Sequence, residues 1–211
     1  RTVWAMGEQL KCGDFVPFVF EHKFNMEVGD GDRKQLMSGT IDRVDICENG
    51  TDVYVRIIDY KTGKKDFNIV KTYYGIDIQL MVYMEAAMKL VAKMRPGKNV
   101  IPAGVFYYNI SDPIVSATTE SAEEIEDKIK GELRLKGMVN SDKDIAEKMD
   151  NTGGTSLNIP VSRKADGGFD SRRSKVMNTE QFNMLGRFVD VRAVDTAAVS
   201  YTHLTLPTNS R

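Results

Sequence analysis

The chain of 211 residues is poor in cysteine, in histidine and in net charge, and it has no long apolar run. Its two cysteines, Cys12 and Cys47, stand at no zinc or redox spacing. They read as ordinary packed or surface thiols, so a disulfide framework is not expected. No stretch approaches the ~20 apolar residues that a membrane span requires. The first residues, Arg-Thr-Val-Trp-Ala-Met-Gly, carry no apolar segment of the signal-peptide kind. The chain does not begin with Met and is expected to be a segment of something longer, with the cytoplasm as its default compartment. A net charge of −1 gives no global basic field of the kind that announces a nucleic-acid binder.

What is present is 41% hydrophobic and 28% charged residues, the composition of a globular domain with a core of its own. Charge is uneven along it. Residues 61–75 hold Lys61, Lys64, Lys65 and Lys71 against Asp66 alone. Residues 161–175 hold Arg163, Lys164, Arg172, Arg173 and Lys175 against Asp166 and Asp170. Such runs are most often solvated faces.

Phe15 to Val28 reads as a strand closed by the turn signal Gly29-Asp-Gly-Asp32. Leu36 to Cys47 reads as a second strand and Asp52 to Tyr60 as a third, joined by Asn49-Gly50, a strong hairpin signal. Over 76–94 the period changes: Ile76, Leu80, Tyr83, Ala87 and Leu90 make one apolar helical stripe, which Arg95-Pro-Gly97 ends. Ile101 to Ile110 is a fourth strand, ended by Asp112-Pro113. Glu120 to about Lys136 is a charged helix with Ser121 and Glu124 at capping-box spacing. Residues 138–175 read as loop-rich, and Thr179 to about Val194 as a last helix, with a helix end expected over residues 1–13. The fold class is therefore mixed α/β around one sheet.

The chemistry concentrates in Gly39-Thr-Ile-Asp-Arg-Val-Asp45 and, fourteen residues on, Asp59-Tyr-Lys61. In a strand, Asp59 and Lys61 share a face with Ile57, Val55 and Val53, while Tyr54, Arg56, Ile58 and Tyr60 take the other. Asp42 shares its face with Ser38, Thr40 and Val44. If the hairpin pairs the two strands, Asp42 and Asp59 can converge. Two close carboxylates persist where a cation or a shared proton compensates them. A hard ion such as Mg²⁺, with water and phosphate oxygens completing its shell, suits the pair. Asp45 is expected to face away and to pair with Arg43 or Arg56. Taken alone, Asp-X-Lys is as well explained by an exposed strand-end ion pair, and Tyr83 with Gln79 by a core ring beside a surface amide.

The combination is more specific. Gly39-Thr-Ile-Asp-Arg-Val-Asp45, Ile57-Ile-Asp-Tyr-Lys-Thr-Gly-Lys-Lys65, Tyr73-Tyr-Gly-Ile-Asp-Ile-Gln-Leu-Met-Val-Tyr83 and Pro102-Ala-Gly-Val-Phe-Tyr-Tyr108 follow one another in the order of the RecB/AddB group of nuclease domains, within the PD-(D/E)XK superfamily. The resemblance runs over about residues 18–195 and is strongest to the AddB branch.

It implies an αβββαβ restriction-endonuclease-like core and a Mg²⁺-dependent deoxyribonuclease, with Mn²⁺ as a substitute. The domain would degrade single-stranded DNA as an exonuclease during double-strand-break repair, beside an AddA-type helicase–nuclease subunit and with no membrane partner. By that resemblance Asp42, Asp59 and the Tyr60 backbone carbonyl hold the metal, and Lys61 works on the attacking water. Gln79 and Tyr83 contact DNA or orient the lysine. Lys64, Lys65 and Lys71 are weaker DNA-contact candidates.

Family members often carry a glutamate near the position of Glu21, for which a supporting role and a solvated strand residue both stand. His22 is left out, because the family's metal histidine comes from further upstream. The family's four-cysteine iron–sulfur cluster is not expected here, since Cys12 and Cys47 do not fit its positions, and no Walker A motif is present. A Cas4-type RecB-like exonuclease, or a silent DNA-binding or docking module of the same fold, remain alternatives. The expected domain is 1–197. Residues 198–211 resemble translated adapter sequence and are set apart, so nothing is built on His203.

Overall fold

The structure, a computed structural model, describes residues 2–29, 34–110 and 121–199. After a first helix, α1 (Thr2–Lys11), three strands follow: β1 (Val16–Val28), β2 (Gln35–Asn49) and β3 (Asp52–Lys61). They pair antiparallel in sequence order. Asn49 faces Asp52 across the hairpin, so Gly50 and Thr51 are its two loop residues. Gly50 has φ 59 while Thr51 stays out of the left-handed region, the type II′ pattern, which needs glycine first and matches the twist of the flanking strands.

The chain then crosses through α2 (Ile69–Tyr73) and α3 (Gln79–Met94) to β4 (Asn99–Asn109), parallel to β3. Beyond it come α4 (Ala122–Glu132), β5 (Lys136–Asn140) antiparallel to β4, α5 (Lys143–Met149), β6 (Val176–Met177) parallel to β5, and α6 (Thr179–Val199). The sheet order is β1-β2-β3-β4-β5-β6.

Strand alternation sorts the side chains into two cores. Val53, Val55 and Ile57 join Val105, Tyr107, Leu80, Tyr83 and Val91 beneath α3 and α6. Tyr54, Ile58, Phe106 and Tyr108 face Phe15, Ile145, Met149 and Ile159 on the other side. Each fully buried aliphatic such as Leu80 or Ile57 contributes about 1.5–3 kcal/mol of transfer free energy, so the sheet is clamped from both faces. Asp45 lies in the second layer, as expected, and takes both arginines. Arg43 Nε and Nη2 donate to its two oxygens at 2.6 and 2.8 Å, and Arg56 Nε donates at 2.9 Å. Arg56 is itself buried, with its guanidinium 4.9 Å over the Phe15 ring. A lone carboxylate could not stay ionised there without such partners.

Several sequence expectations need correction. The helical stripe does not begin at Ile76, which is 74% exposed; α3 starts at Gln79. Gly75, with φ 75, breaks the chain between α3 and the short α2, which the basic run conceals in the sequence. The charged helix, capped as expected by Ser121 and Glu124, ends at Glu132 rather than Lys136. Leu133 and Leu135 are both buried, Leu135 in the second core, and Lys136 opens β5. Residues 138–175 also contain α5, followed by a loop knotted on Asp150. Its carboxylate accepts from Thr152 N at 2.8 Å, from Asn158 Nδ2 at 3.1 Å and from Ser156 Oγ. The Asp112-Pro113 stop, residues 30–32 of the first turn and His203 lie outside the described residues. The set-apart tail does so too, except for 198 and 199 at the end of α6.

Candidate active site

The β2–β3 ladder runs from Asn49↔Asp52 to Arg43↔Ile58, and there the strands part. One step beyond, Asp42 Oδ2 accepts the Tyr60 backbone N–H at 2.7 Å, replacing the missing ladder bond with a carboxylate. In an extended strand a residue's N–H and C=O point to the same side, so the Tyr60 carbonyl also faces Asp42. Alternation on β2 breaks at this point. Ile41 and Val44, three apart, both enter the core under α3, and a Cβ at Gly39 would meet the Phe24 and Tyr83 rings at 3.0 and 3.4 Å. The shared face expected for Ser38, Thr40, Asp42 and Val44 therefore holds only beyond the break. Across from Asp42 on β1 is Glu21, exposed, whose φ of 47 makes it the one described non-glycine residue with positive φ. Such strain gathers where a chain is bent around a site.

Asp59 is buried, and its Oδ2 lies 2.6 Å from Lys61 Nζ. The contact is an ion pair, and Oδ2 has no hydrogen-bond partner among the described residues. Burial pushes the Asp59 carboxyl up to about 6 against the pull of Lys61, with the Asp42 charge adding to the rise. Burial raises Asp42 as well, opposed first by the Tyr60 N–H. Two carboxylates raised mainly by burial describe a site where a cation would be welcome.

Lys61 Nζ donates to Gln79 Oε1 at 3.1 Å, and Gln79 Nε2 donates to the Tyr83 hydroxyl at 2.9 Å. Gln79 and Tyr83 open α3 one turn apart and are both buried. Burial pushes the Tyr83 hydroxyl up to about 12. The helix thus fixes the amide, and the amide fixes the lysine.

Asp42, Asp59, Lys61, Tyr60, Gln79 and Tyr83 are therefore one constellation. Lys64 and Lys65 lie just beyond it, lining a separate cavity, whereas Lys71 sits on α2 outside that lining. His22 pairs with Ile41 along β1 and β2 and joins none of these contacts. No group of three or more His, Cys, Asp or Glu able to hold a metal occurs among the described residues. The donor set is two carboxylates and a carbonyl, all hard oxygens, which fits an ion that keeps several waters, as Mg²⁺ does.

Sequence reasoning passes over three neighbours. The Tyr107 ring lies 5.6 Å beneath Lys61 Nζ and 5.5 Å beneath Lys65 Nζ. Asp77 accepts the Tyr107 hydroxyl at 2.9 Å and pairs with Lys65 at 3.2 Å. Asn109 exchanges two 3.0 Å bonds with the Lys65 backbone. Tyr107 reads as strand core, and only the β3–β4 register reveals it beside Asp59.

Comparison with known proteins identifies the family. Residues 1–163 match the family described as the PD-(D/E)XK nuclease superfamily. The chain is 38% identical over 200 residues to the B subunit of the ATP-dependent helicase/deoxyribonuclease of Clostridium botulinum (strain Hall), covering 90% of this chain and 17% of that protein. The like-named proteins of Thermoanaerobacter sp. (strain X514) and Alkaliphilus oremlandii are each 36% identical, again over 90% of this chain and 17% of their own length. The chain thus spans about a sixth of these curated relatives, and it belongs to the PD-(D/E)XK nuclease superfamily.

Proposed function

We propose that this chain is a metal-dependent deoxyribonuclease domain, spanning residues 1–197, that hydrolyses single-stranded DNA from an end. It would work within a helicase–nuclease of the kind named for its relatives, beside an AddA-type subunit and in the cytoplasm. No described helix is long and apolar enough to cross a membrane. The observation that carries the reading is the chain of contacts Asp59–Lys61–Gln79–Tyr83, facing an Asp42 that has replaced a ladder bond.

Asp42, Asp59 and the Tyr60 carbonyl would hold Mg²⁺, with Mn²⁺ as substitute. Bound there, the ion would lower the pKa of a coordinated water and neutralise charge on the phosphate. Lys61, positioned through Gln79, orients that water or donates to the charge that develops on the phosphoryl oxygens. The test is metal-dependent degradation of end-labelled single-stranded DNA, with Asp59→Ala and Lys61→Ala alongside. Cleavage in Mg²⁺ that falls by at least about 100-fold in both variants is expected, the scale of removing a group that stabilises transition-state charge. Cleavage that survives Asp59→Ala would sink the site assignment.

A further inference from the structure

Next to the candidate site, and separate from it, is a cavity of about 400 Å³. Its near wall is the segment after Lys61, with Lys64 and Lys65. Its far wall comes from chain that reads from sequence as helix end and loop: Arg134, Lys136 and Lys175. Two carboxylates, Asp66 and Glu132, also line it. Asp66 and Lys175 pair with each other at 2.6 Å, which leaves Lys64, Lys65, Arg134 and Lys136 against Glu132.

The register connects this cavity to the candidate site. Asp59 pairs with Tyr107 across β3 and β4, and Tyr107 pairs with Lys136 across β4 and β5. Lys136 therefore stands two strands from Asp59 in the same row, roughly 10 Å away by backbone spacing. Paired residues project to the same face, and Met138, two beyond Lys136, is in the core under α3 with Tyr107. Tyr107 links the two: Lys61 of the candidate site and Lys65 of the cavity wall both lie over its ring.

Two of these cations have few partners among the described residues. Arg134 Nε is buried and has no hydrogen-bond partner among the described residues; its Nη1 reaches Ser156 O only at 3.4 Å. Lys136 Nζ finds a single carbonyl, that of Gly131, at 3.3 Å. Burial, and next the Arg134 charge, hold the Lys136 ammonium below its ordinary value. Half-buried cations in this state gain from an anion that brings several acceptor oxygens.

We infer that Arg134 and Lys136, beside the Lys175–Asp66 pair, form a phosphate-binding subsite that grips the DNA strand next to the phosphate undergoing cleavage. The inference rests on the nuclease reading for the identity of the strand. The grip itself needs no metal.

The experiment measures fluorescence anisotropy of a labelled single strand of about 20 nucleotides, long enough to span such a groove, in EDTA over a range of salt. The wild-type chain is compared with Arg134→Gln/Lys136→Met. A Lys89→Gln/Lys93→Gln pair on α3 serves as charge-matched control, and melting curves verify that each variant is folded. The expected result for the first pair is binding about tenfold weaker at low salt. Its plot of log affinity against log salt should be shallower by about 0.7 for each phosphate no longer held. The control should match wild type. Affinity and slope unchanged in the folded double variant, or an equal loss in the control, overturns the inference.

Oligonucleotides with and without a 5′-phosphate, and competition by inorganic phosphate, locate the group. A loss seen equally with both ends places an internal phosphodiester in the cavity, and a loss confined to the phosphorylated strand places a terminal phosphate there. Because binding is read without metal, failure of cleavage by the wild-type chain would count against the nuclease reading alone.

Discussion

Gln79 uses both ends of its amide: its oxygen accepts from Lys61 and its nitrogen donates to the Tyr83 hydroxyl. A surface amide would lose such bonds to water, but Gln79 is only 8% exposed, so the orientation is kept. Gln79→Leu fills the same space and removes the amide oxygen to which Lys61 donates. Single-turnover cleavage should then fall about 100-fold, the scale of an ångström-level misplacement of a reacting group. DNA affinity measured without metal should stay the same. Tyr83→Phe removes the far end of the chain and should cost less. An unchanged single-turnover rate in Gln79→Leu would show that the lysine needs no such support. Sequence spacing puts Gln79 and Tyr83 on one helix face, yet cannot choose between a core ring with a surface amide and a working pair. The choice depends on Lys61 arriving from another strand.

Among the elements, β5 decides whether the far wall of the basic cavity exists. Gly137, its second residue, has no room for a side chain: a Cβ there would lie 1.9 Å from Val105 O and 2.9 Å from the Phe106 Cα. Both contacts are backbone, so no rotamer change can relieve them. Gly137→Ala should therefore force β5 away from β4. Urea unfolding should show a loss of at least about 1–3 kcal/mol, the usual cost of overpacking. Weaker DNA binding should accompany it as Lys136 moves, and a stability equal to wild type would refute the close approach.

The same strand explains which elements sequence can reveal. β2, its hairpin and β3 are written locally, in period-two apolar residues and an Asn-Gly turn, and so is the Asp59-Tyr-Lys61 face. β5 spans five residues, one of them a glycine, and becomes a strand only because β4 offers it an edge. α2, also five residues, is hidden in the same way by the lysines around it. Local pattern cannot report a partner more than twenty residues distant, so Arg134 and Lys136 read as helix end.

For the whole molecule, α6 closes the first core by lying on α3, β1 and β4, with Phe182, Leu185 and Val189 facing inward. On its flank it carries Asp190, whose Oδ1 is buried without a hydrogen-bond partner among the described residues. Burial, and next the Glu85 charge on α3, push this carboxyl from 3.8 up to about 6, with Lys89 opposing. An acid raised in the folded state holds its proton more tightly there than in the unfolded chain. Its contribution to stability is therefore complete below pH 3.8 and is lost as pH rises through about 6. Above that, the folded protein carries a poorly solvated charge against α3. Asp190→Asn keeps the shape and removes the charge, so it should melt higher than wild type at pH 7.5. A gain of roughly 2–4 °C would correspond to each kcal/mol relieved in a chain of this size. The gap should close as pH is lowered toward 4, where wild-type Asp190 is itself protonated when folded. A gap of constant size across that range would mean that the amide acts through packing, and a lower melting temperature at pH 7.5 would mean that the ionised carboxylate has a partner worth more than its burial costs.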